Sequence, residues 1–216
     1  MSSRINKFKE KFSFKRKDHW EKVYTKKSPS EVSWYQTHPG ISLELIASSG
    51  IDHSAKIIDV GAGASVLVDK LLEADYKDIS VLDISSKAID HAKERLGDQS
   101  EKVTWVVTDI TEFKPSQQYD LWHDRAVFHF LTDENDRHKY VEALKKALKP
   151  GGHLIISAFS LEGPPKCSGL DVERYDAEKM KQELGDEFEF ITSVNESHMT
   201  PWQAKQEFIY GYFKRK

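Results

Sequence analysis

A single cysteine, Cys167, leaves this chain without a partner for an internal disulfide. That suits a reducing compartment, and a cytoplasmic location is expected. No apolar run approaches the roughly 20 residues of a membrane helix, so no membrane span is expected. The N-terminus has no hydrophobic stretch ahead of a small-residue cleavage site, so a secretory signal is not expected either. No set of Cys, His and carboxylate residues stands at metal-ligand spacing, and no metal is expected. Internal repeats, long linkers and low-complexity blocks are missing too. What is left, at 216 residues, is one soluble domain with room for a three-layer core.

The formal net charge of -3 hides an asymmetry. Residues 1–27 hold ten Lys or Arg and three acids, a balance of +7. The other 189 residues hold 22 bases and 32 acids, a balance of -10. An acidic body argues against a nucleic-acid groove across the domain. The basic stretch interleaves Phe8, Phe12 and Phe14 with Lys and Arg, a pattern suited to an acidic partner or a membrane surface. Residues 1–17 are expected to form a basic flexible tail, and 18–216 the domain.

Helical spacing is expected over 17–24, where Ser28-Pro29-Ser30 follows as a break, and over 40–49. From Lys56 the chain alternates. Strand 56–60 leads to helix 64–74, strand 79–83 to helix 85–96, and strands 102–107 and 119–123 to helix 134–148. That helix stops at Lys149-Pro150-Gly151-Gly152, and strand 153–159 follows at once. Such alternation predicts right-handed crossovers and a mostly parallel sheet with helices on both faces. Helix 176–184 then precedes strands 187–194 and 207–213, a terminal pair that predicts one antiparallel member near the sheet edge.

The chemistry concentrates where strands end. Ile57-Ile58-Asp59-Val60-Gly61-Ala62-Gly63-Ala64-Ser65 reads as a buried strand ending in an acid and turning into a glycine loop. Gly61 and Gly63 permit a sharp turn and close approach to a ligand, and the next helix presents unpaired N–H groups. The following strand ends in Asp83, which can accept two hydrogen bonds from ribose hydroxyls. A dinucleotide fold needs a third glycine at the position of Val66, so an NAD(P) oxidoreductase is disfavoured.

Four segments stand in order: Asp59-Val60-Gly61-Ala62-Gly63, Val81-Leu82-Asp83-Ile84-Ser85, Thr108-Asp109-Ile110, and Leu148-Lys149-Pro150-Gly151-Gly152-His153-Leu154. On these the chain resembles the class I S-adenosylmethionine-dependent methyltransferases, from about Lys56 to Phe159 and more loosely to the end. The resemblance implies an α/β, Rossmann-like, seven-stranded and mostly parallel sheet with one antiparallel strand. It implies S-adenosyl-L-methionine as cofactor. Asp59, Gly61 and Gly63 would line its methionine end, Asp83 would hold the ribose, and Ile84 would lie against the adenine. Asp109 would accept from the adenine amino group and Ile110 would pack on the ring. One departure is Ser65, at a loop position that is usually glycine; similar Gly-x-Gly-x-Ser loops occur in some protein-lysine methyltransferases, and the serine can cap the next helix.

On the acceptor side, strand 119–123 runs into His123-Asp124-Arg125-Ala126-Val127-Phe128-His129-Phe130, which in this fold faces the transferring methyl group. The Asn-Pro-Pro-Tyr type of motif of nucleic-acid amino methyltransferases is missing. The Asp-Arg pair is similar to that of thiopurine and thiol methyltransferases, as is His19-Trp20-Glu21-Lys22-Val23-Tyr24. In those enzymes the N-terminal segment is a lid, here 18–50, with Trp34 and Tyr35 as its aromatic residues. His123 and Trp34 join the expected cofactor contacts. Asp124, Arg125 and His129 are the expected catalytic residues, with His198 a further base candidate. Tyr175, Cys167 and the turn His198-Met199-Thr200-Pro201-Trp202 are expected around the pocket. The expected reaction is methyl transfer to a sulfur, nitrogen or oxygen of a small molecule, with a protein lysine as the alternative acceptor. A cofactor-binding scaffold without catalysis is the remaining reading.

Overall fold

The computed structural model describes residues 16–216. All but the last two residues of the expected basic tail therefore lie outside the described residues. Helical residues 16–26 form α1. Then follow α2 (Gly40–Ser48), β1 (Lys56–Val60), α3 (Leu67–Glu73), β2 (Asp78–Asp83), α4 (Ser86–Leu96), β3 (Val103–Val107) and β4 (Tyr119–Arg125). The chain continues through α5 (Glu134–Ala147), β5 (Leu148–Phe159), the short pair β6 (Lys166–Cys167) and β7 (Leu170–Asp171), α6 (Ala177–Leu184), β8 (Phe188–Met199) and β9 (Lys205–Arg215).

The main sheet has seven strands in the order β3-β2-β1-β4-β5-β9-β8. Neighbours from β3 to β5 pair parallel. β9 runs antiparallel to both β5 and β8, so it is the one reversed strand. This is the α/β, Rossmann-like, mostly parallel sheet that the alternation and the resemblance imply.

The inner strands are apolar throughout because both their faces are covered. Successive residues serve opposite layers. Ile58, Trp122 and Ile156 pack with Tyr140 and Leu144 of α5, whereas Ile57, Leu121 and Ile155 pack with Leu67 and Leu71 of α3. Helix starts follow local side-chain chemistry. Ser85 accepts from the Ala88 N–H at 3.2 Å, Asp133 from the Asn135 N–H at 2.8 Å and Asp176 from the Lys179 N–H at 2.8 Å. α4 ends at Gly97, whose φ of +55° lets the chain leave the helix.

Several boundaries move from those expected. α3 begins at Leu67 instead of Ala64, because residues up to Val66 stay in the glycine loop. Ser65 Oγ does accept from the Leu67 N–H, at 3.1 Å. β4 runs on to Arg125 and β5 starts already at Leu148, where Tyr119 pairs with it across an irregularity in register. β8 reaches Met199 and β9 starts at Lys205, since their mutual pairing supports a hairpin longer than hydrophobic alternation alone reveals. Among the described residues, no helix is long and apolar enough to cross a membrane.

Candidate active site

The sheet order reverses between β1 and β4, and in open α/β sheets the crevice at that point takes ligands. β1 leaves it through Gly61 and Gly63, with φ of +64° and +55°. Neither position accepts a side chain. A Cβ on Gly61 would lie 1.7 Å from Val127 Cγ2, and one on Gly63 would lie 2.2 Å from the Tyr24 hydroxyl. Arg95 braces this loop from α4, donating to the carbonyls of Ala64 and Ser65 at 2.9 and 2.7 Å and to Asp69.

Three strand-end acids surround the crevice. Asp83 Oδ2 accepts from the Gly63 N–H at 2.7 Å and Oδ1 from the Ser85 N–H at 2.8 Å. Burial raises its carboxyl to about 6 against those stabilising donors, and Asp59 and Glu21 add repulsion. Asp109 Oδ1 accepts from the N–H and hydroxyl of Thr111 at 3.0 and 2.9 Å, and Oδ2 pairs with Arg16 at 3.2 Å. Asp59 Oδ1 lies 2.7 Å from His123 Nδ1. Among the described residues its buried Oδ2 has no hydrogen-bond partner.

Two solvent-open clefts adjoin at this edge, of about 730 and 550 Å³. The larger is bordered by Asp83, Ile84, Asp109, Ile110 and Leu131 on the β2–β3 side. Its other side is aromatic. Trp20 stands edge-on to Trp34 and to Phe130, with ring centroids 5.6 and 5.0 Å apart. The smaller cleft is bordered by Asp59, His123, Ser42, Tyr35 and Gln36. Trp34, Tyr24, Gly61 and Arg125 border both.

The structure thus gathers Trp34, Asp59, Gly61, Asp83, Ile84, Asp109, Ile110, His123 and Arg125 around adjoining clefts, with Gly63 beneath Tyr24. Two residues expected beside the acceptor are elsewhere. Asp124 is fully buried. It accepts from the Tyr140 hydroxyl at 2.7 Å and the Val127 N–H at 2.9 Å, and burial raises its carboxyl to about 7. It holds the turn at Ala126, whose φ is +73°, and so presses Val127 against Gly61. His129 is also fully buried. Its Nδ1 accepts from the Phe159 N–H at 3.2 Å, and burial, with Arg125 nearby, lowers it to about 3. Neither borders a cleft: the short helical turn at Phe128–Phe130 points His129 inward at the sheet.

Arg125 is tied from three sides. It donates to the Tyr210 hydroxyl at 2.8 Å and the Trp34 carbonyl at 3.0 Å, and pairs with Glu196 at 3.4 Å. Its guanidinium stacks on Phe208, 4.6 Å from the ring centre. His198 Nε2 donates to the Ser33 carbonyl at 2.7 Å and is largely buried. Cys167 borders the larger cleft, with burial pushing its thiol up to about 11. Tyr175 belongs to the core and Trp202 is exposed; neither borders a cleft.

Sequence reasoning missed Arg16 and the role of Glu21. Arg16, Trp20 and Tyr24, spaced by four, lie along one face of α1 and all border the larger cleft. Glu21, on another face, accepts from the N–H groups of Ser86 and Lys87 at 2.8 and 3.1 Å and from the hydroxyl of Ser85 at 2.9 Å. The i, i+4, i+8 spacing was readable; the contact of Glu21 with a helix start 65 positions on was not.

Comparison with known proteins agrees with this geometry. A family profile described as a methyltransferase domain matches residues 58–154. Malonyl-[acyl-carrier protein] O-methyltransferase 1 of Ilyobacter polytropus is 30% identical over 166 residues, 74% of this chain and 59% of that protein. The eEF1A lysine and N-terminal methyltransferase of Mus musculus is 28% identical over 55% of this chain and 17% of its own length. The chain therefore spans under two thirds of these curated relatives. Among solved structures, N-methyltransferase NodS from Bradyrhizobium japonicum WM9, in complex with S-adenosyl-l-homocysteine, superposes with a TM-score of 0.69. It is 19% identical, and the match covers 91% of this chain and 98% of that one.

Proposed function

We propose that this chain is a class I S-adenosylmethionine-dependent methyltransferase that transfers a methyl group from S-adenosylmethionine to a small molecule, a reading supported by the methyltransferase-domain match and by its relatives. The observation that carries this reading is the set of carboxylates at the mouths of β1, β2 and β3, one of which, Asp59, keeps a buried oxygen without a partner. An ammonium group supplies the missing donor. Ile84, Ile110 and Leu131 offer apolar walls for a purine beside Asp83 and Asp109. The cofactor supplies a methyl group on an activated sulfonium, so the protein's part is mainly positioning and exclusion of water.

Asp59, Gly61, Gly63 and His123 stand at the amino-acid end, Asp83 at the ribose, and Ile84, Asp109 and Ile110 at the base. Trp34 closes over both clefts. Arg125 faces the acceptor, while Asp124 and His129 act beneath the surface by holding the turn between β4 and α5. Among the described residues bordering the larger cleft, Asp83 and Asp109 are already hydrogen-bonded and Cys167 stays a thiol. An acceptor that arrives with a free lone pair needs no base from this wall. A protein lysine is the second reading, favoured by the three-ring wall of Trp20, Trp34 and Phe130, which suits a cationic side chain.

The test is transfer of labelled methyl from S-adenosylmethionine to panels of thiols, amines, carboxylates and lysine peptides. Small-molecule labelling is expected. On the best acceptor, Arg125→Ala should raise KM about tenfold or more with S-adenosylhomocysteine affinity nearly unchanged. Labelling of peptides alone would replace the first reading with the second. No labelling in any panel would refute both.

A further inference from the structure

Ser42 on α2, His123 on β4 and Asp59 on β1 form a hydrogen-bonded line. Ser42 Oγ lies 2.9 Å from His123 Nε2, and His123 Nδ1 lies 2.7 Å from Asp59 Oδ1. Ser42 is fully buried, and His123 and Asp59 are 3% and 2% exposed. The sheet register sets Asp59 directly beside His123, so the spacing is a property of the backbone. All three side chains border the smaller cleft.

The order of atoms is that of a Ser-His-Asp hydrolase triad, but the Ser42 hydroxyl is fully buried against His123. The same line can be read in the other direction, as a chain of donors ending on the acid. We propose that Ser42 and His123 are positioning residues that orient Asp59 toward a ligand ammonium group. The Ser42 hydroxyl donates to Nε2, and the Nδ1–H donates to Asp59 Oδ1. That selects one tautomer, fixes the plane of the carboxylate and leaves Oδ2, on a residue that borders the cleft, buried with no hydrogen-bond partner among the described residues. A buried carboxylate oxygen without a donor is costly, and an alkylammonium with three N–H groups meets that need. The inference rests on the methyltransferase reading and deepens it by separating Asp59, which touches the ligand, from the two residues that aim it.

Calorimetry with two probes tests it. S-Adenosylhomocysteine carries the ammonium; 5′-methylthioadenosine keeps the nucleoside and thioether but lacks the amino-acid end. His123→Leu should weaken the first about tenfold to a hundredfold, the range for a hydrogen bond to a charged group, while changing the second less than about threefold. His123→Asn, which retains a donor near Nδ1, should restore most of the loss. Ser42→Ala should show a smaller loss with the same selectivity, and it serves as the measurement if His123→Leu does not fold. Equal weakening of both probes, or unchanged affinity for both, would overturn the proposal while leaving the cofactor assignment in place. A wild-type protein that binds neither probe would overturn the methyltransferase reading itself.

Discussion

Asp124 is expected beside the acceptor from its place in the sequence and is fully buried in the fold. Its carboxyl is raised from 3.8 to about 7, chiefly by burial, so the folded chain holds a proton that the unfolded chain releases. The stability this gives is fully present below the unfolded value and is lost as pH climbs through about 7. Asp124→Asn stays neutral, and thermal unfolding should show a flatter decline of Tm between about pH 4 and pH 7. The slope that remains combines Asp83, raised to about 6, with the opposing contribution of His129, lowered to about 3, whose stabilisation is present above its unfolded value and lost as pH falls. Gly63 offers a second test. Its φ is +55°, and a Cβ there would meet the Tyr24 hydroxyl at 2.2 Å, so Gly63→Ala should cost about 1–3 kcal/mol. In denaturant titrations Tyr24→Phe should recover part of that loss, because the contact goes and only the backbone strain remains.

At the level of elements, α1 is held over the larger cleft by its two sides. Arg16 reaches Asp109 and Asp136, at 3.2 and 3.0 Å, and His91 of α4 donates to the Tyr24 carbonyl at 2.9 Å. Glu21 sits at the N-terminus of α4, where free N–H groups and the helix dipole favour an anion. Burial pushes its carboxyl up, yet the donors of Ser86, Lys87 and Ser85 outweigh that and hold it below the ordinary value. Glu21→Ala should therefore loosen α1 more than the fold. Stopped-flow measurements should show S-adenosylhomocysteine leaving several-fold faster, with Tm shifted by only a few degrees; an unchanged off-rate would remove α1 from the closing of the site. The α1 face Arg16-Trp20-Tyr24 was legible as a spacing of four. Several partners of that face were not, since Asp109, Phe130 and Asp136 lie far along the chain.

For the whole molecule, the sheet order β3-β2-β1-β4-β5-β9-β8 puts five parallel strands with their C-terminal ends on one edge and closes the far side with a hairpin. A ligand that bridges strand ends on that edge binds only the folded chain. At about a hundred times its Kd, S-adenosylhomocysteine should add about 2.7 kcal/mol and raise Tm by roughly 5–10 °C in a thermal-shift titration. NAD(H) should give no shift, since Val66 stands where a dinucleotide loop needs glycine.

The local signals in this chain specify what local chemistry can specify. Alternating apolar runs and helical spacings mark the parallel sheet, and strand-end acids with Gly61 and Gly63 mark the edge where the two clefts lie, because each rests on residues within a few positions of one another. The acceptor side has no such signal. Asp124, Arg125 and His129 are near neighbours in sequence, yet only the tertiary structure sends Arg125 to the cleft and the other two into the core. The turn at Ala126, with its positive φ, and the pull of Tyr140 and Val127 on Asp124 make that choice. The line from Ser42 through His123 to Asp59 likewise exists only once β4 pairs with β1 and α2 packs against them, since burial and strand register, not sequence spacing, bring those three side chains within hydrogen-bonding distance.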